Sequence, residues 1–197
     1  MSQALLSLQA KKPQTKTAIQ ELITKRFSAR AFSDKTIDKD LIETIFEAAS
    51  WAPSSMNEQP WHYLYAIKGT ENFNKIWDCL LAGNKPWAKD AQVLIISLSR
   101  KTHEKDGANN KYSLYDTGAA NAILLLQAAA MDIYGHEMGG FDIAKTRTTF
   151  DIDESYEIAC IIALGYLDSH EKLEEPFKTR EISPRNRKKT SQFVEKL

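Results

Sequence analysis

The chain has 197 residues, with 26 basic and 26 acidic side chains, 43% hydrophobic residues and 26% charged ones. That balance fits one globular domain with a sizeable core, and it argues against a disordered chain, a general nucleic-acid binder or a membrane-surface protein. Two cysteines, Cys79 and Cys160, cannot form a disulfide framework, so a reducing, cytoplasmic setting is expected.

The opening residues, MSQALLSLQAKKPQ, lack the layout of a secretory leader, and residues 1–16 are expected to form an extended N-terminal arm. A helix is expected over 17–26, with Ile19, Leu22 and Ile23 on one face. Another is expected over 38–51, where Leu41, Ile42, Ile45, Phe46 and Ala49 recur at helical spacing and Pro53 closes the run. A strand follows at 62–67, a helix at 71–82 and a buried strand at 93–98. Residues 99–113 read as a polar loop. The helix expected over 115–131 is apolar on nearly every side, which places it at the centre of the fold or at a subunit contact. The most apolar stretch, Gly118 to Met131, is broken by Asn121 and Gln127 and is too short to span a bilayer.

A strand at 133–137, a short helix at 141–149 and a strand at 157–166 complete the regular elements, and the chain beyond Leu167 reads as polar and irregular. No repeat or linker divides residues 1–197. Helices and strands mix without a βαβ rhythm, so a single α+β domain is expected.

Charge is uneven. Residues 1–30 carry Lys11, Lys12, Lys16, Lys25, Arg26 and Arg30 against Glu21 alone. Residues 178–197 carry Lys178, Arg180, Arg185, Arg187, Lys188, Lys189 and Lys196 against Glu181 and Glu195, so the middle of the chain is acidic. The two basic ends are either solvated tails or they converge on one anion. The chain contains no G-x-G-x-x-G, Walker loop, G-x-S-x-G or H-E-x-x-H. His62, His103, His136 and His170 lack metal-ligand spacing, so no metal site is expected.

Four segments carry groups suited to chemistry. Arg26-Phe27-Ser28-Ala29-Arg30 places two guanidiniums and a hydroxyl within five residues; alone, it reads as a basic helix C-terminus. Pro53-Ser54-Ser55-Met56-Asn57-Glu58-Gln59-Pro60-Trp61 packs hydroxyls and amides into a loop bounded by prolines. Gly135-His136-Glu137-Met138-Gly139-Gly140-Phe141-Asp142 lets backbone N–H groups approach a ligand closely, or forms a plain tight turn. Pro184-Arg185-Asn186-Arg187-Lys188-Lys189 is a basic tail unless it meets an anion.

Together and in this order, the four segments resemble the FMN-dependent nitroreductase family over residues 18–189. The resemblance rests on Arg26, Ser28 and Arg30, on the P-S-S-x-N-x-Q-P-W string at 53–61, on Gly139-Gly140-Phe141-Asp142, and on Arg185 and Arg187. It implies an intertwined α+β homodimer with a central mixed sheet flanked by helices. Residues 168–197 would be exchanged with the partner subunit, and two FMN sites would lie at the interface.

Arg26, Arg185 and Arg187 would then hold the flavin phosphate. Arg30 would lie near flavin N1 and O2, with Ser28 alongside, where a cation favours the anionic reduced ring. Pro53, Ser54, Ser55 and Asn57 would reach the flavin from the partner subunit. Asn84 would bond the ring edge, and the backbone of Met138, Gly139 and Gly140 would face N5. The implied activity is ping-pong hydride transfer from NADH or NADPH to a nitroaromatic, a quinone or a similar electrophile, with no side-chain nucleophile. Neither nucleic acid nor membrane is an expected partner.

Two features depart from the family pattern. Gly139 stands where many relatives have Glu, and the 99–113 loop is short, which leaves the cover over the flavin different. Tyr112 or Trp87 would line a pocket or, as aromatics more often do, pack in the core. The alternatives are other flavin chemistry of the same fold (flavin fragmentation, dehalogenation or azoline oxidation) or a non-catalytic FMN- or anion-binding module.

Overall fold

The computed structural model describes residues 3–197. Its regular elements are α1 (Gln3–Lys11), α2 (Glu21–Lys25), α3 (Lys39–Ser50), β1 (Trp61–Ile67), α4 (Glu71–Asp78), α5 (Lys85–Ala88), β2 (Val93–Arg100), α6 (Ser113–Ala130), β3 (Ile133–Met138), α7 (Ile143–Thr149), β4 (Tyr156–Tyr166) and α8 (Phe177–Ile182). No helix among the described residues is long and apolar enough to cross a membrane.

The strands form one sheet in the order β1-β2-β4-β3, and every neighbouring pair is antiparallel. The fold is α+β as expected. The sheet is antiparallel among the described residues rather than mixed.

The central strands are apolar on both sides, so each sheet face needs its own cover. Leu94, Ile96 and Leu98 of β2, with Ile161 and Ala163 of β4 and Tyr134 and Met138 of β3, join the core under α4 and α5. Val93, Ile95, Ile162, Leu164 and Ile133 point the other way, into the core formed with Ile42, Ile45 and Ala49 of α3 and Ala120, Leu124 and Ala128 of α6. A register irregularity after Ser97 puts Leu98 opposite Ile158, so both stay on the first face.

The ends of the chain differ most from expectation. Residues 1–16 were expected to be an extended arm, but residues 3–11 form helix α1, while residues 1 and 2 lie outside the described residues. The supposedly irregular tail contains α8, which is too short for an apolar stripe and buries a single side chain, Glu181. The two helices pack together: Lys11 Nζ donates to Arg180 O at 2.6 Å and to Ser183 O at 2.7 Å.

The second core contains one polar chain. Tyr63 Oη and Ser97 Oγ both donate to Asn121 Oδ1, at 2.9 and 3.0 Å, and Asn121 Nδ2 lies 3.4 Å from Cys160 Sγ. Asn121 is 2% exposed, so an apolar residue there strands both hydroxyls. We expect Asn121→Ala to lower stability by about 2–3 kcal/mol in urea denaturation with an unchanged m-value.

Candidate functional site

After α2 the backbone becomes extended, with Arg26 at φ −63° and ψ 127°. Side chains of an extended segment alternate, and Phe27 and Ala29 are buried at 2% and 0% exposure. Arg26, Ser28 and Arg30 therefore share the opposite side.

The segment is held against β3. The Phe27 ring lies 5.1 Å from that of Tyr134, and His136 Nδ1 donates to Ala29 O at 3.0 Å. His136 also stacks at 4.6 Å on Trp87, over which the Arg30 guanidinium sits at 5.8 Å. Burial, followed by the charges of Arg30 and Arg26, pushes the His136 imidazole down to about 4, so it stays neutral at physiological pH.

Arg26, Arg185 and Arg187 lie close enough to repel one another. Burial and then Arg187 lower Arg26, with Glu137 opposing, while burial, Arg26 and Arg187 all lower Arg185. Guanidiniums remain charged throughout, so this grouping is relieved by a bound anion, and a phosphate matches their fork geometry.

The three do not serve alike. Arg185 donates from Nε to Lys11 O at 2.6 Å, from Nη1 to Arg26 O at 2.6 Å, and from Nη2 to Thr24 O. It ties the end of α2 and the end of α1 to the C-terminal segment. These bonds occupy three of its five N–H groups, so Arg185 is a structural tie besides its expected part at the phosphate, and Arg26 and the exposed Arg187 keep more donors open.

The glycine turn follows directly on β3, the strand that holds the Arg26–Arg30 segment. A bridge pairs Leu80 with Phe141, and Leu81 N donates to Gly140 O at 3.0 Å. Asn84 Nδ2 donates to the same carbonyl at 3.0 Å, which brings Asn84 onto the turn. A Cβ on Gly140 would stand 2.8 Å from that nitrogen, whereas a Cβ on Gly139 would meet nothing within 4 Å. The backbone at Gly139 is thus open for a flat group to approach. Met138 is 2% exposed in the first core, so its side chain is not a ligand and only its backbone reaches the turn. Trp87, at 1% exposure, is also core, although its Nε1 has no hydrogen-bond partner. Tyr112 is exposed.

The 53–61 loop is a strained piece of backbone. Met56, Asn57 and Gln59 have φ of 54°, 58° and 46°, each costing a non-glycine residue roughly 1–2 kcal/mol. The surroundings enforce this shape. Ser54 Oγ accepts from Gln59 N at 3.1 Å, and the buried Asp116 accepts from Ser55 N at 3.0 Å. Glu58 accepts from Glu104 N at 3.1 Å and faces Arg100 at 3.7 Å, clamping the 99–113 loop alongside. A cavity of about 330 Å³ lies between Pro53, Ser54 and Ser55 and the α6 residues Tyr115 and Asp116, with Tyr112 beside them.

Among the described residues, no hydrogen bond, ion pair or ring contact joins residues 53–57 to residues 26–30 or 138–140. The structure holds Arg26, Ser28 and Arg30 in one row, a ledge on β3, with Arg187 near Arg26, and braces the Gly139–Gly140 turn with Asn84, while Pro53, Ser54, Ser55 and Asn57 lie on the separate strained loop. The His136–Trp87 stack was not anticipated from sequence, although the two-residue alternation with Tyr134 and Met138 would have turned His136 inward.

Comparison with known proteins fits this geometry. A solved structure described as an oxidoreductase containing FMN is 32% identical, with a TM-score of 0.84 over 89% of this chain and 91% of that one. A nitroreductase family protein from Clostridium difficile 630 shares the fold at 23% identity and a TM-score of 0.70, over 91% of this chain and 98% of that one. A Ralstonia nicotianae protein whose name places it among the NADH dehydrogenase/NAD(P)H nitroreductases is 25% identical over 78% of this chain and 82% of its own length. The model of the nitroreductase family matches residues 23–84 and 68–166, and the chain belongs to that family.

Two measurements check these assignments. Arg185→Ala removes three bonds to backbone carbonyls and is expected to lower stability by about 2–4 kcal/mol in chemical denaturation. The depressed His136 binds its proton less readily folded than unfolded, so its contribution is full above the unfolded value near 6.5 and is lost as pH falls toward about 4. Melting temperature should fall across that window, by the equivalent of roughly 3 kcal/mol at most, and His136→Gln should flatten the fall.

Proposed function

We propose that the protein is an FMN-dependent oxidoreductase that takes hydride from NADH or NADPH and passes it to a nitroaromatic, a quinone or a related electrophile in a ping-pong cycle. The observation that carries this reading is the row of Arg26, Ser28 and Arg30 held on β3, with Arg187 near Arg26 and the open Gly139 turn, braced by Asn84, following the same strand. Bound FMN supplies the two-electron chemistry.

The chain's own groups bind and orient. Arg26 and Arg187 hold the phosphate, Arg30 presents positive charge to the ring system, and Ser28 lies between them. The open backbone at Gly139 and Gly140 admits the flat ring, and Asn84 braces that turn. His136, kept neutral, adds no charge of its own and fixes the 28–30 segment through Ala29.

The reading includes a homodimer in which Pro53, Ser54, Ser55 and Asn57 of one copy complete the ledge of the other. Of residues 168–197, the part up to Arg185 packs on α1 and the 24–31 stretch of its own chain, and the part beyond Arg187 crosses between subunits. Exposed apolar groups beside these segments support it. Trp51 and Met56 are 79% and 84% exposed next to the loop, Leu114 and Tyr115 are exposed on α6, and Phe193 and Val194 are exposed near the C-terminus. Both cysteines are free and buried, which accords with a reducing cytoplasmic setting.

A visible spectrum of the purified protein, followed by anaerobic addition of NADH and then NADPH, tests the reading. A bound flavin spectrum that bleaches is the expected result; no flavin after reconstitution with FMN overturns it. Arg26→Ala and Arg187→Ala should each raise the Kd for FMN about 10- to 100-fold in a fluorescence-quenching titration. Arg187→Ala should leave the melting temperature of the apoprotein unchanged.

A further inference from the structure

Behind Arg30 lies a charged group that neither the 53–61 loop nor the phosphate ledge uses. Glu181 of α8 is 0% exposed. Its Oε1 accepts from Arg30 N at 3.0 Å and from Ala31 N at 3.3 Å. Its Oε2 has no hydrogen-bond partner and stands 4.0 Å from Arg30 Nη1. The Arg30 guanidinium lies over the Trp87 ring instead of closing on the carboxylate.

Two backbone N–H groups require only an acceptor, which a neutral amide oxygen provides equally. A buried negative charge is costly unless the cations around it need it. Those cations are Arg30, Arg180 and Lys11: burial lowers both Arg30 and Lys11, the Glu181 charge opposes that at each, and Arg180 adds to the lowering at Arg30. Lys11 also pins the end of α8 through Arg180 O and Ser183 O, which fixes Glu181 in place. Both α1 and α8 lie outside the residues matched by the family model.

We infer that Glu181 is a positioning residue for Arg30, holding the Arg30 segment by two backbone bonds and offsetting, from the protein side, the positive charge that Arg30 presents to the ring of the bound cofactor. The inference rests on the reading above, in which Arg30 faces the flavin. Its consequence is electrostatic. The ring experiences a cation partly cancelled by an anion behind it, so removing the anion alone makes reduction easier, and removing the cation alone makes it harder.

The test is the midpoint potential of the FMN-loaded protein, measured by equilibration with a reference dye. Glu181→Gln keeps both acceptor bonds and deletes the charge, and it should shift the potential positive by at least a tenfold change in the reduction equilibrium, about 30 mV for a two-electron couple. Glu181→Asp keeps the charge and should stay near the wild-type value. Arg30→Gln should shift the potential negative, and Arg30→Gln combined with Glu181→Gln should return it toward wild type. That double variant removes a buried pair together and so avoids stranding either charge if the single Gln variant folds poorly.

Loaded Glu181→Gln at the wild-type potential, or equal potentials for Arg30→Gln and the double variant, overturns the inference and leaves the FMN reading standing. Wild-type protein that binds no FMN overturns both.

Discussion

β2 and β4 are apolar on both faces, and a sheet of that kind has to be covered twice. That constraint accounts for most of the architecture. One face is closed by α3 and α6, and the other by α4, α5 and the extended stretch after α2. Because the stretch after α2 is part of the cover, Phe27 and Ala29 must point into the core and their neighbours cannot. The outward row of Arg26, Ser28 and Arg30 is thus a by-product of core packing. The ledge owes its rigidity to the same burial that holds the sheet together.

The two basic ends of the chain converge, but they divide the work between them. Arg185 spends three donors on backbone carbonyls, which joins the termini. Arg187, two residues further on, stays exposed beside Arg26. A similar division runs through the Arg30 surroundings, where Trp87 and His136 supply a neutral platform and Glu181 supplies the counter-charge. Each guanidinium near the ledge therefore has its own environment, although all read alike as basic residues in the sequence.

The strands and the longer helices were legible because their patterns are strong: α3 repeats apolar residues every third or fourth position, α6 is long and apolar on nearly every side, and β2 opens on the apolar run Val93–Ile96. The ledge was legible through its arginines and glycines, which are chemically distinctive at short spacing. α1 and α8 were not, since they are short and depend on each other, and the contacts that stabilise them join residues about 170 positions apart. The core burial of Met138 follows from strand alternation. The engagement of Arg185 does not, because carbonyl acceptors leave no mark on residue identity. Nor do the three left-handed residues at 56, 57 and 59, where no glycine marks the turn.

The pairing of α1 with α8 also bears on how the chain is made. Translation delivers α1 well before α8, so a nascent α1 lacks this native partner until residues about 170 positions further on have been made. A five-residue helix α2, whose final carbonyls are bonded by Arg185, waits for the same moment. Completion of the Arg26–Arg30 ledge therefore waits on residues made about 150 positions later.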